Sequence, residues 1–322
     1  MSNILLQVEN LRTSFFTRQG EVKAVDGVSF YVRERETFGI VGESGCGKTV
    51  TGLSILRLLP EPAGKIVGGM IILDGRDILD LSKREMRAIR GKMVSMILQD
   101  PMTSLNPVYP IGDQIAESVR LHQNLPNNKI EQEVISALRL LRIPSPKVML
   151  REYPFQLSGG MRQRVVGAIA MSCHPRLLIA DEPTTALDAT IQAQYIALFK
   201  EVQQKTNVAI IFITHDFGVI ANMCHRVGVM YAGKIVETAT TRELFNAPRH
   251  PYTSALINSV PRLDRKDDRL YSIEGQPPLM TNLPPGCRFS PRCSTALEVC
   301  NRQDPPEVEI GNGHFVSCWR VK

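Results

Sequence analysis

The chain has 322 residues, of which 43% are hydrophobic, so it can bury the core of one large domain or two modest ones. No apolar run approaches the roughly 20 residues that cross a bilayer, and the first residues carry no charged segment ahead of a hydrophobic one. We therefore expect a protein that neither spans a membrane nor is exported. The net charge of +6 suits anionic lipid, nucleic acid or ATP, but a surplus this small over the whole length is typical of a solvated surface.

Up to about residue 241, strand patterns alternate with helical ones, which is typical of an α/β fold. Segments 27–32 and 69–75 are predicted to form an antiparallel piece that flanks a buried strand at 38–41, and a helix is predicted within 50–59. Residues 111–150 are helical in pattern, with a break at 125–128, and we interpret them as part of a helical insertion at about 105–160. Further buried strands are predicted at 177–181 and 208–214.

A phosphate-binding loop follows the strand at 38–41. Residues 42–49 read GESGCGKT, which completes the pattern G-x-x-x-x-G-K-[ST] between a strand and a helix. The glycines allow backbone N–H groups to turn toward a polyphosphate at the positive end of the helix. A glycine-rich turn that matches by chance is the alternative. The residues predicted to bind nucleotide here are Gly42, Ser44, Gly45, Cys46, Gly47, Lys48 at the β- and γ-phosphates, Thr49 as a Mg²⁺ ligand, and Val50.

Polar side chains follow three further predicted strands. Since strands of an open α/β sheet meet a ligand crevice at their carboxyl ends, we expect these side chains to face the nucleotide. We predict that Asp181 holds Mg²⁺ through water, that Glu182 is the general base for the attacking water, and that Gln99 reaches Mg²⁺ or that water. His215 is predicted to hydrogen-bond the γ-phosphate. A solvated turn is the alternative for Asp181 and Glu182, and an ordinary surface or core position is the alternative for His215.

Taken together and in this order, the motifs resemble those of the ATP-binding subunits of ABC transporters. The resemblance rests on the Walker A loop at 42–49, Gln99 as the Q-loop, the signature LSGGMRQ at 157–163, Walker B at 177–182, the D-loop at 186–188 and His215 as the switch. It implies an ABC-type nucleotide-binding domain with an antiparallel β subdomain and a helical subdomain. It also implies that two such domains sandwich two ATPs, each bound by one Walker A loop and by the partner's signature residues, here Ser158, Gly159 and Gly160.

An aromatic side chain is also implied to stack on the adenine. Alignment to the family places Phe15 there, with Phe16 as its rival, and core packing is the alternative for either ring.

Three further segments resemble the dipeptide, oligopeptide and nickel importers of bacteria, namely residues 99–107, residues 250–253 and the C-terminal cysteines. The resemblance implies that ATP hydrolysis powers import of di- or oligopeptides, with the chain peripheral on the cytoplasmic face of the membrane. The implied partners are two integral membrane permease subunits, which dock around residues 102–108, a second ATP-binding subunit that we expect to be a paralogue, and indirectly an extracytoplasmic peptide-binding protein. No nucleic acid is expected.

Three other functions remain open from the residues. One is a nickel importer ATPase of the same family, the second is a soluble iron-sulphur ABC ATPase acting on the ribosome or nucleic acid, and the third is a redox or metal-regulatory protein in which ATP is incidental. A complete set of hydrolytic residues argues against the third.

Beyond residue 246 prolines accumulate and long apolar stretches are few, so we predict a nucleotide-binding domain at 1–245 and a separate extension at 246–322, stapled by a metal. A reducing cytosol argues against disulfides, the alternative, and the spacers are longer than those of zinc knuckles. We expect a structural 4Fe-4S iron-sulphur cluster, with Zn²⁺ as the alternative, and no effect of this centre on nucleotide binding. The ligands are Cys287, Cys293, Cys300 and Cys318, with Arg288, Arg292 and Arg302 nearby to offset their charge. The other three thiols, Cys46, Cys173 and Cys224, are predicted to be buried or incidental.

Overall fold

The computed structural model describes residues 3–100, 104–185, 188–260, 272–311 and 313–321. Its strands are β1 (Ile4–Thr17), β2 (Gly20–Arg33), β3 (Thr37–Val41), β4 (Gly64–Leu73), β5 (Arg76–Asp77), β6 (Val94–Ile97), β7 (Leu177–Asp181), β8 (Ala209–Thr214), β9 (Arg226–Tyr231), β10 (Lys234–Thr240), β11 (Glu307–Glu309) and β12 (Phe315–Ser317). Its α-helices are α1 (Lys48–Ile55), α2 (Lys83–Ile89), α3 (Ile111–His122), α4 (Asn127–Leu140), α5 (Pro146–Met149), α6 (Gly159–Met171), α7 (Ala189–Thr206), α8 (Phe217–Met223), α9 (Thr241–Asn246) and α10 (Pro251–Asn258).

The described residues form two compact units. The first unit takes its residues from 1–5, 32–37 and 80–212, and the second takes them from 6–31, 38–79 and 213–322. In the described part of the chain, no helix is both long and apolar enough to cross a membrane. The predicted boundary near residue 245 stays a prediction.

The second unit contains the antiparallel piece that the sequence predicts. Its strands lie in the order β2-β1-β4-β5, and β1 runs antiparallel to β4, from Leu6 opposite Leu73 to Phe15 opposite Gly64. Along β2, apolar side chains such as Val28 and Val32 are completely buried and alternate with more exposed neighbours. This period of two is the pattern of a sheet with one buried face, so the prediction of antiparallel strands here is confirmed.

The second unit also holds the strand that leads into the phosphate loop. All five residues of β3 are buried, and β3 runs parallel to β9, which pairs antiparallel with β10. The C-terminal extension then adds β12 to the free edge of β10, with Val316 opposite Glu237, and β11 pairs with β12. The extension is therefore continuous with the sheet that contains β3, because an edge strand offers unpaired backbone groups that a further strand satisfies.

The first unit contains β6 and β7, which pair in parallel, and the helices predicted for residues 111–150. The predicted break is confirmed, but it lies at 123–126 and not at 125–128, since α3 ends at His122 and α4 begins at Asn127. Helices α3, α4 and α6 pack together around completely buried side chains such as Val119, Leu138 and Val165. These three helices thus form a small core, and the predicted extent of the helical insertion, about 105–160, stays a prediction.

Candidate nucleotide-binding site

The phosphate loop lies in the second unit, between β3 and α1. Gly47 precedes α1 with a φ of 108°, a left-handed conformation that favours glycine. A Cβ atom added to Gly47 would lie 2.3 Å from the carbonyl oxygen of Ala24, and one added to Gly42 would lie 2.1 Å from that of Met230. Both neighbours are backbone atoms that cannot move aside, so close packing demands glycine at these positions.

The Lys48 side chain is folded back onto the loop. Its Nζ donates hydrogen bonds to the carbonyl oxygens of Gly42 and Glu43, each at 2.9 Å, and only 5% of the residue is exposed. Neutral carbonyls are weaker partners for an ammonium group than phosphate oxygens are. The amine is thus held at the loop by two neutral acceptors, and its role at the phosphates stays a prediction.

The remaining predicted loop residues divide by exposure. Ser44 and Gly45 are exposed at the tip, whereas Thr49 and Val50 are half-buried in the first turn of α1. Cys46 is buried, and burial raises the pKa of its thiol against the opposing charge of Lys48, so the thiol stays neutral. The prediction of buried thiols is confirmed for Cys46 and also for Cys173 and Cys224.

Walker B and the Q-loop meet in the first unit. Asp181 is the last residue of β7 and is completely buried, and Glu182 follows it with a φ of 45°. A carboxylate oxygen of Glu182 accepts a hydrogen bond from the Gln99 amide at 2.9 Å and another from the Thr185 hydroxyl at 3.1 Å. The structure therefore brings two predicted catalytic residues together and adds Thr185, which the sequence analysis missed.

The signature lies at the start of α6 in the first unit. The Ser158 side chain accepts a hydrogen bond from the N–H of Met161 at 3.4 Å and so caps the helix. Ser158 and Gly159 are exposed, Gly160 is half-buried, and a Cβ atom added to Gly159 would meet nothing within 4 Å. The signature thus presents a helix N-terminus with open space before it.

Gln163, the last residue of the signature, connects α6 to the end of Walker B. It is buried, and its amide donates to the carbonyl oxygen of Pro183 at 2.9 Å, while its own carbonyl accepts from the Tyr195 hydroxyl at 3.1 Å. In the sequence, Gln163 is a polar residue within a helical segment, which could have suggested a structural role. Only the fold shows which groups its side chain contacts.

The switch and the D-loop sit at helix starts. His215 is exposed after β8, and Asp216 caps α8 by accepting from the N–H groups of Gly218 and Val219. In the D-loop, Asp188 caps α7, whereas Ala186 and Leu187 lie outside the described residues.

The two candidate adenine platforms differ in exposure. Phe15 is half-buried, with its ring close to Gly64, where an added Cβ atom would lie 2.9 Å away. Phe16 is 48% exposed, and the Lys65 ammonium lies 5.7 Å from its ring centre. Their role stays a prediction.

All four C-terminal cysteines are free thiols in the described residues. Cys287 donates its N–H to the carbonyl oxygen of Cys300 at 2.8 Å. The pKa of Cys287 is raised to about 11, mainly by burial and to a smaller extent by the neighbouring thiols of Cys300 and Cys318. Yet no three His, Cys, Asp or Glu side chains in the described ranges are placed to hold a metal ion together. The structure therefore does not show the predicted centre.

The three arginines that the sequence placed beside the thiols have other partners. Arg288 pairs with Asp26, Arg292 with Glu43 and Arg302 with Glu298. Carboxylates therefore balance the charge of all three arginines. Their placement does not support the expectation that they offset the charge of thiolates.

Comparison with known proteins agrees with the motifs. Residues 25–185 match the family model described as ABC transporter, and residues 236–300 match the model described as oligopeptide/dipeptide transporter, C-terminal region. The chain is 51% identical over 315 residues to the dipeptide transport ATP-binding protein DppD of Bacillus subtilis, covering 98% of this chain and 94% of the relative. It is 50% identical over 320 residues to the probable peptide ABC transporter ATP-binding protein y4tR of Sinorhizobium fredii, covering 99% and 96%.

A solved structure shows the same fold. The ATP-binding cassette MJ0796, in a dimeric post-hydrolysis state with ADP and Pi, matches with a TM-score of 0.66 and 22% identity over 74% of this chain and 99% of its own. The α/β nucleotide-binding fold that the sequence predicts is therefore confirmed. Together, the loop, the strand-end residues and these matches show that the chain belongs to the ABC transporter family of ATP-binding subunits and is an ABC-type ATPase.

Proposed function

We propose that this chain hydrolyses ATP to power import of di- and oligopeptides, as one of the two nucleotide-binding subunits of an ABC importer. The observation that carries the proposal is a full set of ATP-hydrolysis motifs on a chain whose residues 236–300 match the C-terminal region of oligopeptide/dipeptide transporters. Relatives matched along almost the whole chain are described as dipeptide or peptide transport ATP-binding proteins. A nickel importer or a soluble iron-sulphur ATPase is not favoured by these matches.

Each proposed catalytic residue has a chemical role. Glu182 takes the proton of the attacking water, and the hydrogen bonds from Gln99 and Thr185 orient its carboxylate. Lys48 neutralises charge on the β- and γ-phosphates, and His215 hydrogen-bonds the γ-phosphate. Hydroxyl, amide and carboxylate oxygens are the ligands that Mg²⁺ prefers, so Thr49, Gln99 and, through water, Asp181 fit that ion. When bound, Mg²⁺ supplies further charge neutralisation at the phosphates.

The second ATP-binding subunit completes the site. Ser158 and Gly159 are exposed at the N-terminus of α6, where backbone N–H groups and the positive end of the helix favour an anion. We propose that this surface binds the γ-phosphate of an ATP held by the Walker A loop of the second subunit, which we expect to be a paralogue.

The permease subunits dock on the first unit and hold the chain at the cytoplasmic face of the membrane. A groove of about 950 Å³ is lined there by residues that include Pro110, Val148 and Tyr153. Large apolar side chains are exposed near it in sequence, with Val108 70% exposed and Phe155 67% exposed. Exposed apolar patches mark interaction sites. The docking segment predicted at 102–108 lies partly outside the described residues, but Val108 is described.

Complementation tests both the peptide cargo and the docking surface. A strain that lacks this subunit and needs one amino acid should grow on di- or oligopeptides containing that amino acid only when the intact chain is supplied. Val108→Asp should fail to restore growth and should no longer purify with integral membrane proteins, because a charge in an apolar docking surface is costly. Leu121→Asp, at a side chain that is 72% exposed, is the matched control and should restore growth. Growth on free peptide without the subunit would contradict the function, and full activity of Val108→Asp would contradict the docking site.

We also propose that Cys287, Cys293, Cys300 and Cys318 hold a structural 4Fe-4S cluster, with Zn²⁺ as the alternative. The donor set fits, because four free thiols in one short extension are what such a cluster requires. Burial raises the pKa of Cys287 and Cys318, and the neighbouring cysteines add a smaller repulsion between thiolates, which a bound cation would relieve. Because the four thiols are not placed to share a metal ion in the described residues, they would have to move closer together around the cluster.

Metal analysis tests this centre. Protein purified without oxygen should be brown and should contain about four irons and four sulphides per chain. The Cys300→Ser variant should lose most of its iron, and proteases should cut its extension more readily. The Cys173→Ser variant, changed at a buried thiol of the first unit, should keep its iron and its resistance to proteases. Colourless protein with one zinc per chain would show that the centre binds Zn²⁺ and not a cluster. Protein without either metal would contradict the proposal of a metal centre.

A further inference from the structure

Glu43, the second residue of the phosphate loop, is held by all of its polar groups. Its N–H donates to the Tyr252 hydroxyl at 3.0 Å, and its carbonyl oxygen accepts from Lys48 at 2.9 Å. Its carboxylate is paired in a bidentate manner with Arg292, with nitrogen–oxygen distances of 2.7 and 2.9 Å. Two of these partners, Tyr252 and Arg292, belong to the C-terminal part of the chain, far from the loop in sequence.

Arg292 sits in a site built for its guanidinium group. The side chain is only 4% exposed, against 27% for Glu43. Besides the two bonds to Glu43, its Nε donates to the carbonyl oxygen of Glu274 at 3.0 Å, and an Nη donates to that of Ile273 at 3.4 Å. The guanidinium also lies 5.8 Å from the ring centre of Tyr231. Such a group keeps one geometry, because its donors are satisfied from several sides.

An aromatic cluster fixes the surroundings of this pair. Tyr231 packs against Tyr252 and Phe289, with ring centres 4.6 and 5.2 Å apart, and Phe289 also packs against His250. Burial lowers the pKa of His250 to about 3, so the ring is neutral in this cluster. Phe289 precedes the short helical turn Ser290–Arg292, so the cluster fixes the base from which Arg292 reaches the loop.

We propose that Arg292 is a positioning residue for ATP binding: it holds and neutralises Glu43, and through it the C-terminal extension sets the affinity of the phosphate loop for ATP. This inference rests on the proposed assignment of residues 42–49 as the ATP site. It concerns an ion pair of the extension and not the metal centre, for which the sequence predicts no effect on nucleotide binding.

The physical reason is the charge of Glu43. Consecutive Cα atoms are about 3.8 Å apart, so the Glu43 backbone lies within about 8 Å of Gly45, in the loop that would surround the phosphates. A carboxylate on this residue repels a triphosphate in the loop, and the Debye length at physiological salt is about 8 Å, so salt only partly screens the repulsion. Arg292 cancels this charge and keeps the carboxylate turned to one side. Without Arg292, the loop would carry an unpaired negative charge beside its ligand.

Nucleotide titration of the full-length chain tests the proposal. Arg292→Gln should raise the Kd for ATP about tenfold, the scale of the repulsion between one unpaired carboxylate and a nearby triphosphate, and the loss should shrink as salt is added. Glu43→Gln combined with Arg292→Gln should return the Kd to within about threefold of the starting protein, because two amides can pair and no charge is left over. In the assembled importer, Arg292→Gln should raise KM and leave kcat almost unchanged. Arg302→Gln, which removes an exposed ion pair to Glu298 in the same extension, is the matched control and should change nothing.

The outcomes separate this inference from the proposed function. Unchanged ATP binding by Arg292→Gln overturns it, and so does equally weak binding by the single and double variants, since that pattern marks a merely structural role. If Arg292→Gln does not fold, the double variant decides, because near-normal ATP affinity supports charge cancellation and a tenfold loss refutes it. The Lys48→Ala variant is titrated in the same experiment as a test of the proposed ATP site. If it binds ATP normally, then the assignment of residues 42–49 as the ATP site is wrong.

Discussion

Replacement of Glu182 by glutamine is expected to abolish ATP turnover by the assembled importer and to leave ATP binding intact. The amide keeps the shape of the side chain and can still accept hydrogen bonds from Gln99 and Thr185, but it cannot take a proton from water. Loss of a general base lowers the rate by about 10²- to 10⁴-fold. Phosphate release measured at saturating ATP, together with nucleotide titration, checks both halves of this expectation.

Glu201→Gln is the matched control for this experiment. Glu201 lies on α7 in the same unit and pairs at the surface with Arg142, at 2.7 Å, where an ion pair contributes little. Its turnover should equal that of the starting protein. Near-normal hydrolysis by Glu182→Gln would show that another residue is the base, and loss of ATP binding would show that the carboxylate has a structural role instead.

Replacement of Lys48 by alanine is expected to weaken ATP binding itself, by about 10- to 100-fold, because it removes charge-assisted hydrogen bonds to the phosphates. The carbonyl oxygens of Gly42 and Glu43 would lose the same donor, so the empty loop should also become less ordered. Titration of the purified full-length chain with ATP measures the change. Lys129→Ala, at an exposed lysine on α4, should bind ATP normally. An unchanged Kd for Lys48→Ala would count against the loop.

Some features of this protein can be predicted from short stretches of its sequence. The phosphate loop is one example, because its requirements are local: glycine at residue 47 for a left-handed φ, and a lysine in the first turn of a helix. The position of Asp181 and Glu182 is another, since a run of apolar residues predicts a buried strand and the residues after it must emerge at the sheet edge. The break between α3 and α4 likewise follows from a local Pro-Asn-Asn signal at residues 126–128.

The contacts between distant segments were decided by the tertiary structure alone. Arg292 and Glu43 are 249 positions apart, and nothing near either residue in the sequence indicates that one neutralises the other. The link from Gln163 to Pro183 and the addition of β12 to the edge of β10 are of the same kind. Local patterns report the backbone that a segment prefers and the face that it buries. The choice of ionic or hydrogen-bonding partner depends instead on where whole elements pack, because side chains satisfy their charge with whichever group the fold brings within about 3 Å.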